Sequence, residues 1–328
     1  MVGRSAFAFC RAFRLHRRKD GGAFRNQLLE RAILALNILL TGASGFLGSA
    51  LALHWLKAGH QVALLLRPGS QLHRLSGLDP SFNIGRYTTD AEVYAFIKKT
   101  QPEIVVHTAC SYGRQGETNL QVFDTNLRFG VVITQALQQS TLPVTFINTG
   151  SALAPEVSVY ALSKHQFAGW GRMLPLQSGG QLKFVNVLLQ HMYGPNDDAS
   201  KFTTHVLNAC QRNDPLLKLT AGEQARDLIY IDDVVHAYDT LLKKRHQLDA
   251  TQDIDVGSGV ATTIREFVET AHRLTASQTE LHFGALPYRP NEVMHCQANT
   301  DRIRQLGWQP AFDLEAGLQK TIELEFNT

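Results

Sequence analysis

The sequence has few cysteines, no long apolar run and almost no excess charge of either sign. Its 328 residues include four cysteines that lie far apart, with no Cys-x-x-Cys pair. This argues against a disulfide framework or a zinc knuckle and favours a reducing compartment. The longest apolar run, 32–40, is interrupted by Asn37 and is much shorter than the roughly 18 residues expected of a membrane-spanning helix. The thirteen histidines are scattered. We therefore predict a cytoplasmic protein with no metal site and no membrane partner.

The net charge of +3 conceals a basic N-terminal segment. Residues 1–36 contain eight basic and two acidic residues, a local charge of +6, which leaves −3 for the rest of the chain. Such a segment could bind nucleic acid or a membrane surface, or direct the chain to an organelle, since transit peptides are rich in arginine and poor in acids. It contains little serine, which disfavours a transit peptide. We predict an extension that the fold does not need, and no nucleic-acid partner.

From residue 37 onward, short apolar segments alternate with helical patterns. A helix is predicted over 126–139, between two of these segments. Segments that are apolar on both faces belong to a parallel sheet with helices on both sides, so the pattern predicts an α/β fold. Four segments have this strand character: 37–40, 61–66, 103–109 and 143–148.

A glycine-rich loop follows the first predicted strand. Gly42, Gly45 and Gly48 form a Gly-x-x-Gly-x-x-Gly pattern. The first glycine allows a tight turn, the second lets the backbone approach a pyrophosphate, and the third lets helix and strand pack closely. The bare pattern is weak evidence, but a strand before it and a helix after it are typical of a dinucleotide-binding fold. The predicted cofactor contacts in this loop are Gly42, Ser44, Gly45, Phe46, Leu47 and Gly48.

Length and this loop together predict the domain organisation. A chain of this size begins to exceed what a single hydrophobic core holds. We predict a Rossmann-type, doubly wound dinucleotide-binding domain over 37–190. A smaller C-terminal lobe is predicted over 191–328, with some of its segments returning to the sheet.

The end of the second predicted strand indicates which dinucleotide is bound. An NAD site would place Asp or Glu here to hold the ribose 2′-hydroxyl, whereas this chain has Arg67 and its next carboxylate is Asp79. A guanidinium matches the geometry of a 2′-phosphate. Arg67 therefore favours NADP, with NAD as the alternative.

A tyrosine and a lysine four residues apart provide the predicted proton chemistry. Tyr160 and Lys164 would lie on one helix face, where the ammonium group can stabilise a phenolate. The spacing alone is weak evidence, because Tyr94 and Lys98 share it. Tyr160, however, follows the strand 143–148 at the carboxyl edge of the sheet, where ligands of open α/β folds bind. We predict that Tyr160 and Lys164 are catalytic and that the earlier pair serves packing.

The chain from about residue 37 to its C-terminus resembles the extended short-chain dehydrogenase/reductase superfamily, in its nucleotide-sugar epimerase/dehydratase group. Most of the motifs are weak singly, but in this order they are highly specific. They are the glycine loop, His-Thr-Ala at 107–109, Asn126, Ser151 with Tyr160 and Lys164, Tyr-Gly-Pro at 193–195, Arg-Asp-Leu-Ile-Tyr-Ile-Asp-Asp at 226–233, and Leu-Gly-Trp at 306–308.

The resemblance implies roles for the residues around the reacting groups. Tyr160 would be the general acid or base, and Lys164 would hold the nicotinamide ribose. Ser151 would hydrogen-bond the sugar oxygen on which charge develops, with Thr149 as the alternative hydroxyl. Further cofactor contacts are implied at His107, Ala109 and Asn126.

The resemblance also implies a sugar-nucleotide substrate bound by the C-terminal half. Arg226 matches an arginine that clamps the diphosphate, and Arg289 with Glu292 matches a second arginine and an acid near the nucleotide. Surface salt bridges are the alternative for these residues. His191 stands where many relatives have asparagine, and we expect it to contact substrate. The remaining expected substrate contacts are Tyr112, Arg114, Ser151 and Lys201.

Three stretches, 111–114, 190–202 and 222–227, resemble a narrower branch. This branch is the CDP-abequose synthase type of 4-ketoreductase, which reduces a CDP-linked 4-keto-6-deoxyhexose for the O-antigen of lipopolysaccharide. A net reductase should prefer NADPH, whereas an epimerase recycles tightly held NAD. We predict an NADPH-dependent 4-ketoreductase, with a nucleotide-sugar 4-epimerase as the alternative. A non-catalytic dinucleotide sensor is disfavoured by the intact Ser151, Tyr160 and Lys164, and a dehydratase by Ala152-Leu153 in place of Asp-Glu.

The resemblance finally implies a homodimer, formed through the helices around 126–139 and 160–170. The sheet could equally well bury the apolar residues of these helices. Five residues suit such a contact: Phe129, Val131, Val132, Phe167 and Trp170.

Overall fold

Seven parallel strands form the central sheet. The computed structural model describes residues 35–76, 83–290 and 292–326. Within them the sheet strands are β1 (Asn37–Thr41), β2 (Gln61–Leu66), β3 (Asn83–Arg86), β4 (Ile104–His107), β5 (Val144–Thr149), β6 (Leu182–Leu189) and β10 (Thr251–Val256). Their order is β10-β6-β5-β4-β1-β2-β3. The chain reverses direction across the sheet at β1, which pairs with β2 on one side and β4 on the other.

This topology confirms the predicted doubly wound α/β fold. In open sheets of this kind the ligand crevice lies at the carboxyl ends of the strands, where the strand order reverses. The crevice is therefore expected beside the carboxyl ends of β1 and β4, and these ends carry the glycine loop and the 107–109 motif.

Helices connect the strands on both faces of the sheet. A π-helical turn, Asp124–Arg128, joins two of them into one rod. None of the described helices is long and apolar enough to cross a membrane. The helices are α1 (Phe46–Lys57), α2 (Asp90–Thr100), α3 (Asn119–Phe123), α4 (Phe129–Leu137), α5 (Val159–Gly171), α6 (Leu174–Gln177), α7 (Phe202–Arg212), α8 (Ile231–Lys243), α9 (Ile264–Leu274), α10 (Asp301–Gln305) and α11 (Leu314–Phe326).

The sheet separates two apolar cores. In β1, Ile38 and Leu40 point into one core and Leu39 into the other, as the twofold periodicity of a strand requires. The first core includes Trp55 of α1, and the second includes Phe167 of α5. Burial on both faces explains why these strands are continuous apolar runs rather than alternating ones.

The C-terminal half builds a second, smaller sheet and also returns to the first. The strands outside the main sheet are β7 (His191–Tyr193), β8 (Leu216–Lys218), β9 (Ala225–Tyr230), β11 (Ala261–Thr263), β12 (Glu280–His282) and β13 (His295–Cys296). Strand β9 pairs with β7, β11 and β13, while β10 is an edge strand of the main sheet. The buried carboxylate of Asp227 accepts hydrogen bonds from the N–H groups of Ser258 at 2.6 Å and Ala298 at 3.1 Å. It thereby fixes β9 to the loops beside it.

The predicted element boundaries differ from the structure in one informative place. The helix expected over 126–139 is the later part of a rod that begins at Asn119. Its start is a capping box, in which Thr118 Oγ1 accepts from the Gln121 N–H and Gln121 Oε1 accepts from the Thr118 N–H. This Thr-x-x-Gln signal is readable in the sequence. The basic segment expected over 1–36 lies outside the described residues, apart from its last two positions.

Candidate active site

The three glycines of the loop after β1 have different surroundings. Gly42 adopts φ +73°, and a Cβ there would lie 2.6 Å from the backbone nitrogen of Ala109. A Cβ on Gly48 would lie 2.2 Å from the Gly42 carbonyl oxygen. Gly45 is exposed, and a Cβ there would meet only the Gly42 oxygen at 3.3 Å. The first glycine is required by the segment that follows β4, and the third by the close approach of α1 to the loop at Gly42, while the second leaves open space for a ligand.

The N-terminus of α1 is suited to bind an anion. Gly45 is its N-cap and gives no side-chain cap, and the first turn contains no acidic residue. Its N–H groups, which have no intrahelical partners, therefore face the open side of the loop. The Leu47 side chain is buried and Phe46 is half-buried. Among these predicted contacts, Leu47 can serve a ligand only through its backbone.

Two arginines meet where the adenosine end of a dinucleotide would lie. Arg67 is exposed directly after β2, as predicted. Arg86 ends the neighbouring strand β3, and its guanidinium donates to the carbonyl oxygens of Arg67 at 3.0 Å and Pro68 at 2.8 Å. Sequence reasoning missed Arg86, although its position at the end of a strand next to β2 was a usable signal. The two cations suit a 2′-phosphate.

The predicted catalytic residues lie at the carboxyl edge of the sheet. Ser158 caps α5 by accepting a hydrogen bond from the Ala161 N–H at 3.1 Å. This cap places Tyr160 in the first turn and Lys164 one turn later on the same face. Ser151 follows β5, and its hydroxyl faces the Tyr160 phenol. The structure therefore brings the hydroxyl, the phenol and the helix face carrying the ammonium group to one place.

Burial controls the protonation of this pair. It raises the pKa of Tyr160 above its ordinary value, and the Cys110 thiol adds to the effect, while the Ser151 hydroxyl acts in the opposite direction. The phenol is therefore protonated at neutral pH, which is the form that can donate a proton. Lys164 is 2% exposed, and burial lowers its pKa. No described carboxylate forms an ion pair with Lys164. The hydroxyl groups of a bound ribose would therefore supply hydrogen-bond acceptors for its buried ammonium group.

The structure distinguishes the two candidate hydroxyls. Thr149 Oγ1 lies 2.6 Å from the phenolic oxygen of Tyr238, and both groups are buried. The Ser151 hydroxyl accepts from the Leu153 N–H at 3.2 Å and hydrogen-bonds the Tyr160 phenol. Ser151 is therefore the hydroxyl available to a substrate, in agreement with the preferred assignment.

His107 and Asn126 act differently from the expected direct cofactor contacts. The His107 ring is fully buried, its Nδ1 lies 2.9 Å from Thr41 Oγ1, and its Nε2 has no partner among the described residues. Burial lowers the pKa of His107 to about 3, so the ring is neutral. The ring packs among aromatic residues of the second core, so a cofactor contact at His107 could involve only its backbone. Ala109, two residues on, is half-buried against Gly42.

Asn126 fixes the loop after β4 instead of lining the crevice. Its Oδ1 accepts from the Ser111 N–H at 2.7 Å, and its Nδ2 donates to the Ser111 carbonyl at 2.8 Å. The same amide donates to Ser163 Oγ at 3.0 Å, on the helix that carries Tyr160. Asn126 lies in the π-helical turn, a feature frequent at functional sites. Its fully buried amide positions two walls of the site and leaves no free group for a cofactor.

The loop held by Asn126 brings a second tyrosine and a cysteine to Tyr160. The rings of Tyr112 and Tyr160 have centroids 4.7 Å apart at an interplanar angle of 33°. The Arg114 guanidinium lies 5.6 Å from the Tyr112 ring centroid. Cys110 contacts Tyr112 and acts electrostatically on both Tyr160 and Lys164. The sequence predicted Tyr112 and Arg114 as site residues but missed Cys110.

A cationic recess lies beside these groups. His191 is exposed on its outer side, but the protein packed around its ring disfavours the charged form and, with the charge of Arg226, lowers its pKa to about 4. Arg226 forms an ion pair with Glu292, and Lys201 pairs with Asp197 at 2.9 Å. An adjoining cleft of about 570 Å³ is lined in part by Ala152, Gln190 and Cys296.

Arg289 is not part of this arrangement. Its side chain is exposed and forms no ion pair with a described carboxylate, while its carbonyl accepts from the Glu292 N–H at 3.1 Å. Glu292 neutralises Arg226, not Arg289. Glu292, which was expected with Arg289 near the nucleotide, is the ion-pair partner of Arg226, and a nucleotide contact by the exposed Arg289 stays a prediction.

A glycine-loop Rossmann fold with a Tyr–Lys pair at the carboxyl edge of its sheet defines the short-chain dehydrogenase/reductase class. The chain belongs to the NAD dependent epimerase/dehydratase family, which it matches over residues 38–257. The predicted family is thereby confirmed.

Curated relatives cover nearly the whole chain. CDP-abequose synthase of Salmonella typhimurium strain LT2 is 26% identical over 298 residues, which cover 87% of this chain and 97% of that protein. UDP-glucose 4-epimerase of Mycolicibacterium smegmatis is 24% identical, covering 88% and 98%. Among solved structures, UDP-glucose 4-epimerase of Thermotoga maritima with UDP-glucose superposes with a TM-score of 0.75 at 20% identity, covering 88% of this chain and 98% of that one. This superposition supports the doubly wound α/β fold described above.

Proposed function

We propose that the protein is an NADPH-dependent reductase of a nucleotide-linked 4-keto-6-deoxyhexose. The observation that carries this proposal is the protonated Tyr160 phenol facing Ser151, on the helix face that also carries the buried Lys164. A ketone reductase needs a proton donor at this place. The likeness to CDP-abequose synthases over 87–88% of the chain supports the substrate class and, with it, a role in making lipopolysaccharide sugars in the cytoplasm.

The chain's own residues account for the proton side of the reaction. Bound NADPH would supply the hydride. Ser151 donates a hydrogen bond to the ketone oxygen, so that negative charge developing there is stabilised. Tyr160 then transfers its phenolic proton to that oxygen. Lys164, next to the resulting phenolate on the same helix face, stabilises its charge and holds the ribose hydroxyls.

The preference for NADP rests on the two arginines at the ends of β2 and β3. Arg67 carries the charge for a 2′-phosphate, and Arg86 holds the Arg67 loop by its carbonyl groups. The glycine loop fits the pyrophosphate, because Gly45 leaves its outer side open. NAD remains the cofactor of the alternative function below.

The substrate's diphosphate is assigned to the cationic recess. Arg226 and Lys201 would bind it, with His191 as a neutral hydrogen-bonding partner above about pH 4. Both cations are paired with carboxylates in this structure. A diphosphate would therefore have to share or displace these partners. Arg114 and Tyr112 would face the sugar from the opposite loop.

A 4-epimerase is the second candidate, because a curated UDP-glucose 4-epimerase matches 88% of the chain. An epimerase returns the hydride to the sugar and consumes no cofactor. A reductase oxidises one NADPH for each product molecule. Measuring NADPH loss against product separates the two, since conversion without NADPH loss would establish the epimerase.

Tyr160→Phe tests the chemical assignment. We expect NADPH to bind as in the wild type while turnover falls by about 10²- to 10⁴-fold. The matched control is Tyr94→Phe, on α2, whose hydroxyl donates to Gln135 at 3.0 Å away from the site. Retention of turnover in Tyr160→Phe would remove Tyr160 from the mechanism.

A homodimer is also proposed, through a different set of residues from the one expected. Phe129, Val132 and Phe167 are buried in the second core, and Val131 is half-buried against it. For these four the structure favours the alternative, burial by the sheet, and it leaves Trp170 for an interface. The exposed large apolar side chains on α3 and α5 are Leu120, Phe123, Val159, Leu162 and Trp170. Sedimentation of the wild type and of Trp170→Lys tests this face, because a wild-type monomer at micromolar concentration would contradict it.

A further inference from the structure

Both backbone groups of Asn196 are bound by charged side chains. Asn196 lies in the loop between β7 and α7 and has φ +64°, a left-handed conformation that asparagine tolerates. The Glu325 carboxylate accepts from its N–H at 2.5 Å, and Arg74 Nε donates to its carbonyl oxygen at 3.1 Å. Arg74 and Glu325 are half-buried, and neither has an ion-pair partner among the described residues. Their charged groups therefore serve the backbone, and we call this arrangement the Asn196 anchor.

The Asn196 anchor joins three distant parts of the chain. Arg74 lies in the 3₁₀ turn His73–Leu75 after β2, and its Nη1 also donates to the carbonyl oxygen of Ser44 in the glycine loop at 3.4 Å. Glu325 lies on α11. The loop that carries Asn196 is thereby attached both to the cofactor side of the crevice and to the last helix.

The segment that follows Asn196 is held together by its own side chains. The Asp198 N–H donates to Asp197 Oδ1 at 2.8 Å, and the Ser200 N–H donates to Asp198 Oδ1 at 2.9 Å. Lys201 Nζ lies 2.9 Å from Asp197 Oδ1, and the Asp197 side chain is only 1% exposed. A displacement of Asn196 would therefore carry Asp197 and Lys201 with it.

Lys201 lies between the anion site of the glycine loop and the substrate recess. Its Nζ is 5.2 Å from the ring centroid of Phe46, the first residue of α1. Its charge also helps to lower the pKa of His191, which places Lys201 beside the recess that contains Arg226. A small shift of the loop would withdraw the ammonium group from a diphosphate bound there, because the attraction between charges falls with distance.

We propose that Arg74 and Glu325 are positioning residues for the sugar nucleotide, which hold Asn196 so that Lys201 stays at the substrate's diphosphate. Neither residue has to touch the substrate. The proposal rests on the function proposed above, in which Lys201 binds this diphosphate. The contact between Lys201 and the diphosphate is made equally before and during the reaction, so weakening it raises KM and leaves kcat unchanged.

Glu325→Met and Arg74→Met each remove one side of the Asn196 anchor. Calorimetry with CDP, dTDP and UDP should show binding weakened by about tenfold in each variant. The KM of the 4-keto sugar nucleotide should rise by the same factor with kcat unchanged, whereas a general loss of folded protein would lower kcat and leave KM unchanged. Glu325→Gln keeps an acceptor for the Asn196 N–H and should restore most of the affinity.

The matched control is Glu323→Met, which makes the same substitution on the same helix. The Glu323 carboxylate is exposed and pairs with Lys320 at 2.8 Å. Its loss should change the affinity for each nucleoside diphosphate by less than about twofold.

Lys201→Met shows whether the Asn196 anchor acts through Lys201. The double variant Lys201→Met with Glu325→Met should bind the nucleoside diphosphates within about twofold of Lys201→Met alone. Wild-type affinity in both Glu325→Met and Arg74→Met would overturn the proposal, as would a further loss of about tenfold in the double variant or absence of binding by the wild type. If the wild type binds a nucleoside diphosphate but oxidises no NADPH, the proposed function fails, while these affinities still decide whether Asn196 positions Lys201.

Discussion

Replacing Asn126 with alanine tests how the two walls of the site are held together. The change removes the partner of the Ser111 N–H and of the Ser111 carbonyl, both in a buried region. Each buried backbone group left without a partner costs about 1–3 kcal/mol. Ser163 loses one accepted bond but still donates to the Tyr160 carbonyl at 2.8 Å. The expected loss in the free energy of unfolding is therefore about 4 kcal/mol.

Thermal unfolding followed by circular dichroism measures this loss. For a chain of this size, about 4 kcal/mol corresponds to a fall in Tm of about 10 °C. Asn119→Ala is the matched control, because it makes the same substitution at an exposed position of the same rod and should change stability by less than about 0.5 kcal/mol. Turnover of Asn126→Ala should fall by more than the loss of folded protein explains. The reason is that the loop held at Ser111 also carries Tyr112, which lies beside Tyr160.

Asn126→Asp separates shape from hydrogen bonding. It keeps an acceptor for the Ser111 N–H but places an oxygen against the Ser111 carbonyl and buries a charge. We expect it to be as unstable as Asn126→Ala. If Asn126→Ala and Asn126→Asp both unfold within about 2 °C of the wild type, the amide does not hold this loop and the reasoning is wrong.

Three further predictions concern the cofactor, pH and the N-terminal segment. Arg67→Asp should reverse the preference for NADPH over NADH, measured as the ratio of the two kcat/KM values. Arg86→Gln should weaken that preference by loosening the Arg67 loop. An unchanged ratio in both variants would contradict the NADP assignment. His107 has a folded pKa of about 3 against an ordinary 6.5, so its contribution to stability is present above pH 6.5 and is lost as pH falls toward 3. His107→Gln should therefore flatten the fall of Tm over that range, and an equally steep fall would refute this. Deletion of residues 1–35 should leave a folded, active protein, whereas an insoluble product would show that the fold needs them.

The sequence was sufficient for the four strands β1, β2, β4 and β5, because these are buried along nearly their whole length. Such strands must be continuous apolar runs, and the segment predicted over 61–66 coincides with β2. The glycine loop was equally readable, because Gly42 and Gly48 are demanded by local packing of the loop with its own neighbours. Local constraints of this kind are written in consecutive residues.

What the sequence did not reveal depends on contacts between distant segments. Arg86 gains its role only when β3 pairs with β2, and Cys110 gains its role only when the loop after β4 meets α5. His107 was expected at the crevice from the family resemblance, whereas the pleat turns its ring toward Phe167, at a centroid distance of 5.3 Å. The sequence left open which helix residues face the core and which face a dimer partner, since apolar residues suit a core and an interface equally well.

The central claim is most directly tested by incubating the purified protein and NADPH with CDP-, dTDP- and UDP-linked 4-keto-6-deoxyhexoses. Cofactor absorbance gives the oxidation, and NMR identifies the sugar product. The account predicts one NADPH oxidised for each 4-keto sugar reduced with at least one of these substrates, and no such oxidation by Tyr160→Phe. Absence of NADPH oxidation with all three would contradict it.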